Sequence, residues 1–262
     1  MQIESLGKGN VTIDLEAATV TYRCDGTEVT YPLASDSGFS LVSDAWLRAG
    51  YDCKYSYGFT WFGRPVIQLP EDMIRVQEIV WQLKPDVIVE TGVAHGGGQT
   101  FFASLCEAMG RGRVIGVELE LRPDNRAALD AHPLRPLITL IDGSSTAPDV
   151  VAKVRGEIKK GETVLIVLDS NHTADHVLKE LEVYGPMVTP GSYIIATDGV
   201  MHRLAGTPHS RPDWQHNNPF RAIGEFLKAH PEFESINPPP PFNKGCVTTP
   251  ITYWPSGYLR RK

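Results

Sequence analysis

Five acids occupy positions where chemistry could be done: Glu90, Glu118, Asp142, Asp169 and Asp198. Each closes a short apolar, β-branched run. Ligands in open α/β sheets bind outside the carboxyl ends of the parallel strands, so five acids in register there read as ligand contacts rather than caps. After the first comes a turn, Thr91-Gly92-Val93-Ala94-His95-Gly96-Gly97-Gly98, whose glycines tolerate positive φ and let a ligand approach the backbone. An acid at the end of the next strand, Glu118, suits ribose hydroxyls. The turn departs from the G-x-G-x-x-G dinucleotide fingerprint, and Glu90 would repel a pyrophosphate. A sulfonium and an α-ammonium would be attracted instead, so these residues favour S-adenosylmethionine over a nicotinamide cofactor. In this reading Glu90, Gly92, Val93, Ala94, His95 and Gly96 approach the methionine moiety. Glu118 accepts from the ribose, and Asp142, Gly143 and Ser144 meet the adenine.

The elements that must position these residues alternate. Strands are expected at 86–89, 114–117, 137–141, 163–168 and 191–196, from their apolar runs. A helix-like run to Met109 and helices at 148–160, 173–188 and 219–229 lie between and after them. Residues 70–83 form a helix with Pro70 at its start and Glu71 and Asp72 in its first turn. Ahead of it, residues 10–33 alternate as a hairpin turning at Asp25-Gly26, and 39–49 read as a short helix ended by Gly50. The aromatics from Tyr51 to Phe62 either line a substrate pocket or, the safer reading, pack as a lid on the core. The polar stretch 199–218 is the expected active-site loop, 238–241 a polyproline turn, and 247–253 a final strand. The class is α/β, a Rossmann-like, mostly parallel sheet with helices on both faces. Residues 1–70 are expected as an accessory segment and 71–262 as the main domain.

Composition narrows the function classes. The 262 residues are 42% hydrophobic and 21% charged, ordinary for a globular protein. A formal charge of −6 argues against a nucleic-acid binder. The one basic cluster, Arg260-Arg261-Lys262, reads as a solvated tail. No apolar run approaches the roughly 18 residues of a membrane span, and the opening residues lack the pattern of a signal peptide. Cys24, Cys53, Cys106 and Cys246 have no paired or zinc-like spacing, so free thiols in the cytoplasm are expected.

Several stretches together carry a resemblance. They are Gly58-Phe59-Thr60-Trp61, Gly63-Arg64-Pro65 and Gln68-Leu69-Pro70-Glu71-Asp72, then Glu90-Thr91-Gly92. Leu168-Asp169-Ser170-Asn171-His172-Thr173 follows, with His176-Val177-Leu178 and Pro190-Gly191-Ser192-Tyr193. Pro219 to Phe226, His230-Pro231-Glu232-Phe233 and Gly257-Tyr258-Leu259-Arg260-Arg261 complete the set. The chain resembles the cephalosporin hydroxylase and rhamnosyl O-methyltransferase family, a branch of the class I S-adenosylmethionine-dependent methyltransferases. The resemblance implies a seven-stranded methyltransferase sheet, methylation of a hydroxyl, often on a sugar, and frequently a divalent metal.

Methyl transfer to a hydroxyl needs the acceptor positioned and its proton removed, and a metal that lowers the hydroxyl's pKa assists. Asp169-x-x-His172 supplies a hard-cation ligand and an imidazole; Asp198, after the next strand, can hold the same ion. By analogy with metal-dependent O-methyltransferases, Asp169 and Asp198 are assigned to Mg²⁺ and His172 to the general base, with Asp169 also in the catalytic set and among the cofactor contacts. The family often has Glu-Asp where this chain has Thr197-Asp198. Gln68 is placed over the cofactor, and His202 and His209 are alternative bases or substrate contacts. The expected partners are a sugar-containing small-molecule acceptor and further copies of the chain, with neither nucleic acid nor membrane. The competing readings are an inactive methyltransferase-fold binding or assembly protein and a natural-product hydroxylase partner. An esterase suggested by His95-Gly96-Gly97-Gly98 lacks any G-x-S-x-G elbow.

Overall fold

The computed structural model describes residues 9–262; the opening residues discussed above lie outside them. Alternation builds the first element. The expected hairpin gains a further strand: β1 (Asn10–Asp14), β2 (Thr19–Cys24) and β3 (Thr27–Pro32) form an antiparallel meander. Asp25 and Gly26 both have positive φ, 47° and 78°, as a type I′ turn requires. Val20 and Tyr22 on the central strand bury against Leu41. Leu41 belongs to α1 (Asp36–Asp52), which Ser35 caps by accepting from Gly38 N at 3.1 Å. The helix does not stop at Gly50. The chain reverses at Lys54, where φ is 54°, and a Cβ at Gly50 would make only ordinary contact with Tyr55, at 3.5 Å.

The aromatic segment folds as a 3₁₀ turn, Tyr55–Gly58, and a small hairpin, β4 (Phe59–Trp61) with β5 (Arg64–Val66). Its packing role is plain at Trp61. The indole lies edge-on to Phe101 at 5.0 Å and its Nε1 donates to Ser104 Oγ at 3.0 Å. The next helix, α2 (Pro70–Leu83), has the expected bounds.

The main sheet then builds by crossovers: β6 (Val87–Thr91), α3 (Gly97–Met109), β7 (Arg113–Glu118), α4 (Pro123–Asp130), β8 (Ile138–Asp142), α5 (Pro148–Glu157) and β9 (Val164–Leu168). After these come α6 (Ala174–Tyr184), β10 (Tyr193–Ala196), α7 (Met201–Leu204), α8 (Pro219–Ala229), β11 (Phe233–Ser235) and β12 (Tyr258–Arg261). The seven strands lie in the order β11-β12-β10-β9-β6-β7-β8. From β10 to β8 the pairs are parallel, and β12 runs antiparallel to both β10 and β11.

Every residue of β6 and β9 is buried, and alternation sorts their side chains. Ile88, Leu165 and Val167 join the core under α2 and α3, whereas Val87, Val89, Val164, Ile166 and Leu168 join the core under α5, α6 and α8. A strand covered on both faces reads as an apolar run; β9 does so throughout and β6 does until Glu90 and Thr91 at its carboxyl end. The chain order reverses between β6 and β9, so the crevice for a ligand opens at the carboxyl ends of that pair.

The carboxyl-terminal region departs from expectation. Residues 247–253 form no strand, and Arg260-Arg261 is no solvated tail: both lie in β12, beside Leu259, which is fully buried. Pro250 withholds a ladder donor. Asp72 captures the next turn, accepting from Thr252 Oγ1, from Tyr253 N at 2.8 Å and from Tyr258 Oη at 3.5 Å. Arg261 Nη1 donates to Val188 O at 2.6 Å. Two expected helices are shorter than read, closing at Glu157 and Tyr184, and α4 and β11 were not anticipated.

Candidate active site

The turn after β6 takes its shape from close approaches. Gly92 has φ +88°, and a Cβ there would fall 2.0 Å from Asp169 O at the end of β9. Gly98, in the first turn of α3, lies against the Glu90 carboxylate, where a Cβ would come within 2.2 Å of Oε1. Glu90 is 4% exposed. Its Oε2 accepts from Gln99 Nε2, and among the described residues Oε1 receives no hydrogen bond, which leaves it open to a cation. Burial pushes the Glu90 carboxyl up to about 8; Glu118 adds to the push and the Gln99 amide opposes it.

Glu118, one strand over, is used by the turn itself. Its Oε2 accepts from Val93 N and Ala94 N, both at 2.8 Å, and its Oε1 from Leu119 N at 2.9 Å. The far side of the turn is held by two residues whose part the sequence did not reveal. Arg64 Nε donates to His95 O at 2.8 Å, and Asn125 of α4 donates to Ala94 O at 2.9 Å; Arg64 and Asn125 also bond each other at 3.0 Å. Asp142 is exposed and ion-paired to Arg126. Gly143 N donates to Glu118 O at 2.8 Å, and Ser144 Oγ lies 3.3 Å from Thr146 Oγ1. So the residues expected to contact the cofactor line one edge of the sheet, from β6 to β8.

The second acid cluster lies on the other side of the switch point. Asp169 follows β9, Asp198 lies just past β10, and His172 sits two residues before α6 in the loop that Asp169 opens. Each offers one ligand atom, and these atoms lie within 4.8 Å of one another. His172 Nε2 is 3.3 Å from Asp198 Oδ2. Gln68 Nε2 donates to Asp169 Oδ2 at 2.7 Å and Thr197 Oγ1 to Asp169 Oδ1 at 2.6 Å. Gln68, expected over the cofactor, is thus tied to the acid cluster. Burial pushes Asp169 up to about 8, and the Asp198 charge pushes it further; His172 and the Thr197 hydroxyl oppose them. Asp198 has φ +57°, uncommon outside glycine but accessible to Asp.

The donor set suits a hard divalent cation. Two carboxylates within reach of one point, with the imidazole beside them, leave room for the waters Mg²⁺ retains, and a cation there would offset the repulsion between Asp169 and Asp198. A cationic methionine derivative is suited by Glu90, a buried carboxylate with one oxygen free. His202 and His209 stand apart from this cluster. His202 stacks on Phe220 at 4.2 Å, its Nδ1 is 2.7 Å from Gly199 O, and burial pushes its pKa down. His209 faces Asp52 at 3.4 Å. A partly buried network that the sequence did not disclose braces the loop behind Asp169. His176 Nε2 lies 3.1 Å from Ser170 Oγ and 3.2 Å from Ser145 Oγ, and Ser170 Oγ donates to Glu180 at 2.7 Å.

Comparison with known proteins agrees with this frame. A rhamnosyl O-methyltransferase of Mycobacterium leprae is 31% identical over 143 residues, 53% of this chain and 59% of that protein. One from Mycobacterium bovis is 28% identical over 163 residues, 61% of this chain and 62% of that protein. The chain therefore matches about three-fifths of the length of these curated relatives. An apo-structure of CmcI superposes with a TM-score of 0.54 at 18% identity, covering 78% of this chain and 76% of that one. A Mg-SAM form of CmcI superposes with a TM-score of 0.51 at 19% identity, covering 79% and 77%. The fold is that of a class I methyltransferase. The family described as Rhamnosyl O-methyltransferase/CmcI matches residues 53–262, most of the chain and the whole of the crevice, and the protein belongs to that family.

Proposed function

We propose that the protein is an S-adenosylmethionine-dependent, Mg²⁺-assisted O-methyltransferase acting on a hydroxyl of a sugar-containing small molecule. The observation that carries this reading is the convergence of Asp169, His172 and Asp198 beside a glycine turn with a buried acid, at the switch point of the sheet. Relatives named rhamnosyl O-methyltransferase support the sugar, and the Mg-SAM form of CmcI supports both small ligands.

In this reading Glu90 receives the α-ammonium, with Gln99 fixing its carboxylate and Gly98 leaving space for it. Glu118 orients the turn through Val93 N and Ala94 N while facing the ribose. When bound, S-adenosylmethionine supplies an electrophilic methyl group, and Mg²⁺ supplies charge that favours loss of the acceptor's proton. Asp169 and Asp198 would hold the ion, with Gln68 and Thr197 orienting the former. His172 takes the proton, and Asp198, 3.3 Å away, accepts a hydrogen bond from the protonated ring. Methylation of a glycoside should require Mg²⁺ and stop in chelator. In His172→Ala, cofactor affinity should hold while transfer falls by about 10²–10⁴-fold. Unchanged transfer in that variant would remove His172 from the chemistry, and full activity in chelator would remove the metal.

A further inference from the structure

Behind Asp169 the protein buries a carboxylate and gives it almost nothing to bind. Glu180 of α6 is fully buried, and its Oε2 has no hydrogen-bond partner among the described residues. Its Oε1 accepts from Ser170 Oγ at 2.7 Å and lies 3.6 Å from His176 Nε2. A buried acid held so sparingly calls for an explanation.

The hydrogens of the cluster decide its geometry. The Ser170 hydroxyl gives its one hydrogen to Glu180, so toward His176 Nε2, 3.1 Å away, it can only accept. Nε2 therefore carries a hydrogen, and Ser145 Oγ, 3.2 Å from the same nitrogen, accepts from it as well. One N–H thus faces three oxygens, from Ser145, Ser170 and Glu180. A nucleophilic serine needs the opposite arrangement, with its hydroxyl donating to one ring nitrogen and the acid on the other. Here the acid and both hydroxyls crowd one nitrogen, so the cluster is a tie and not a hydrolytic triad.

The tie joins two loops that the sheet leaves unconnected. Ser145 follows Asp142-Gly143-Ser144 at the end of β8, and Ser170 follows Asp169 at the end of β9. β7 and β6 stand between those strands, so no ladder sets the distance between their loops. The crossing is made by α6. Besides His176 in its first turn, α6 sends Tyr184, fully buried, whose Oη donates to Ser145 O at 2.8 Å. The start of the helix is itself fixed, Ala174 N donating to Asn217 Oδ1 at 2.8 Å.

We propose that His176 is a positioning residue for the nucleoside half of the cofactor, its Nε2–H setting the gap between residues 142–147 and the loop that Asp169 opens. Glu180 keeps the imidazole turned toward both serines. The metal end is held separately, because Gln68 and Thr197 fix the Asp169 carboxylate. This assignment rests on the methyltransferase reading above, in which Asp142, Gly143 and Ser144 meet the adenine.

The test titrates the full chain by calorimetry with S-adenosylhomocysteine and, separately, with Mg²⁺. His176→Ala should weaken S-adenosylhomocysteine about tenfold, the loss of one hydrogen bond, while Mg²⁺ affinity holds. His176→Gln puts an amide N–H where Nε2 stands and should restore the affinity; His176→Asn, one methylene shorter, should not. Val177→Ala opens a cavity in the same helix and should lower the melting temperature without changing either affinity. Ser145→Ala cuts the tie without altering α6 and should weaken S-adenosylhomocysteine about fivefold, which keeps the test open if His176→Ala fails to fold. Unchanged affinity in both His176→Ala and Ser145→Ala would overturn the assignment and leave the methyltransferase reading intact. So would a loss that His176→Gln does not restore, or an equal loss in Val177→Ala. Failure of S-adenosylhomocysteine to bind the unsubstituted protein would overturn the methyltransferase reading and the role of His176 with it.

Discussion

At the β6–β7 end of the crevice the protein answers its own acids. Gln99 bonds Glu90, and three backbone N–H groups bond Glu118. At the β9–β10 end, Asp169 and Asp198 share one imidazole, one amide and one hydroxyl, and they repel each other. The first arrangement is preorganised, complete except for a single carboxylate oxygen. The second sets two repelling carboxylates against few donors, the condition a bound cation would relieve. The same residue type at equivalent strand ends therefore does different work, according to how many donors the fold supplies.

The largest effect that would break this contrast is expected at the deficient end. Asp169→Asn should lower methyl transfer by about 10³-fold, several kcal/mol of charge stabilisation, and remove saturable Mg²⁺ binding in a titration. Near-normal turnover would mean that the β9–β10 end needs no cation. At the preorganised end, Glu90→Gln keeps shape and removes charge. S-adenosylmethionine should bind about 10–100-fold more weakly, the range for a hydrogen bond to a charged group, with Mg²⁺ affinity unchanged by calorimetry. If both affinities move together, the two ends are one unit. Thr197→Val removes a donor to Asp169 without changing volume and should weaken Mg²⁺ by about tenfold, as the loss of a ligand-orienting partner does. An unaltered metal titration would show that Thr197 serves only the backbone of β9.

The smallest effect concerns an acid away from both ends. Asp72 is 1% exposed, and burial pushes it up to about 7 from an ordinary 3.8, against the hydrogen bonds from Thr252 and Tyr253. The folded form therefore keeps a proton that the unfolded chain releases. Its contribution to stability is whole below pH 3.8 and is lost as pH rises toward 7. Thermal denaturation should show the wild-type midpoint falling relative to Asp72→Asn across that window. A constant difference would mean that Asp72 stays ionised in the fold.

Much of this was legible before any coordinates. The apolar runs that begin β6 and fill β9, Pro70 with Glu71 and Asp72, and the acids closing five strands each carry a local signature that tertiary contacts only reinforce. What stayed hidden depends on partners far away in sequence. Val247, Ile251 and Tyr253 look like a strand, but Asp72, some 180 residues away, commits Thr252 and Tyr253 to a turn. The true strand, β12, has four residues with two arginines and shows too little alternation to be recognised. Arg64 and Asn125 stabilise the glycine turn through its carbonyls, contacts that no spacing rule encodes. The aromatic segment was expected to pack on the core, and Trp61 does; Tyr51 packs edge-on to Trp214 and Tyr253, which no local pattern links to it.

The position of β12 has a consequence for how the chain acquires its structure. Its neighbours are β10 on one side and β11 on the other, so β11, although earlier in sequence, has no place in the sheet until β12 has inserted. That flank must form through contacts distant along the chain, which are slow to nucleate. Until residues 258–261 dock, the β10 edge presents unpaired N–H and C=O groups able to recruit another strand. Substitutions that weaken the hold of Asp72 on the segment before β12 should therefore appear first as aggregation during refolding, before any loss of native stability is measurable.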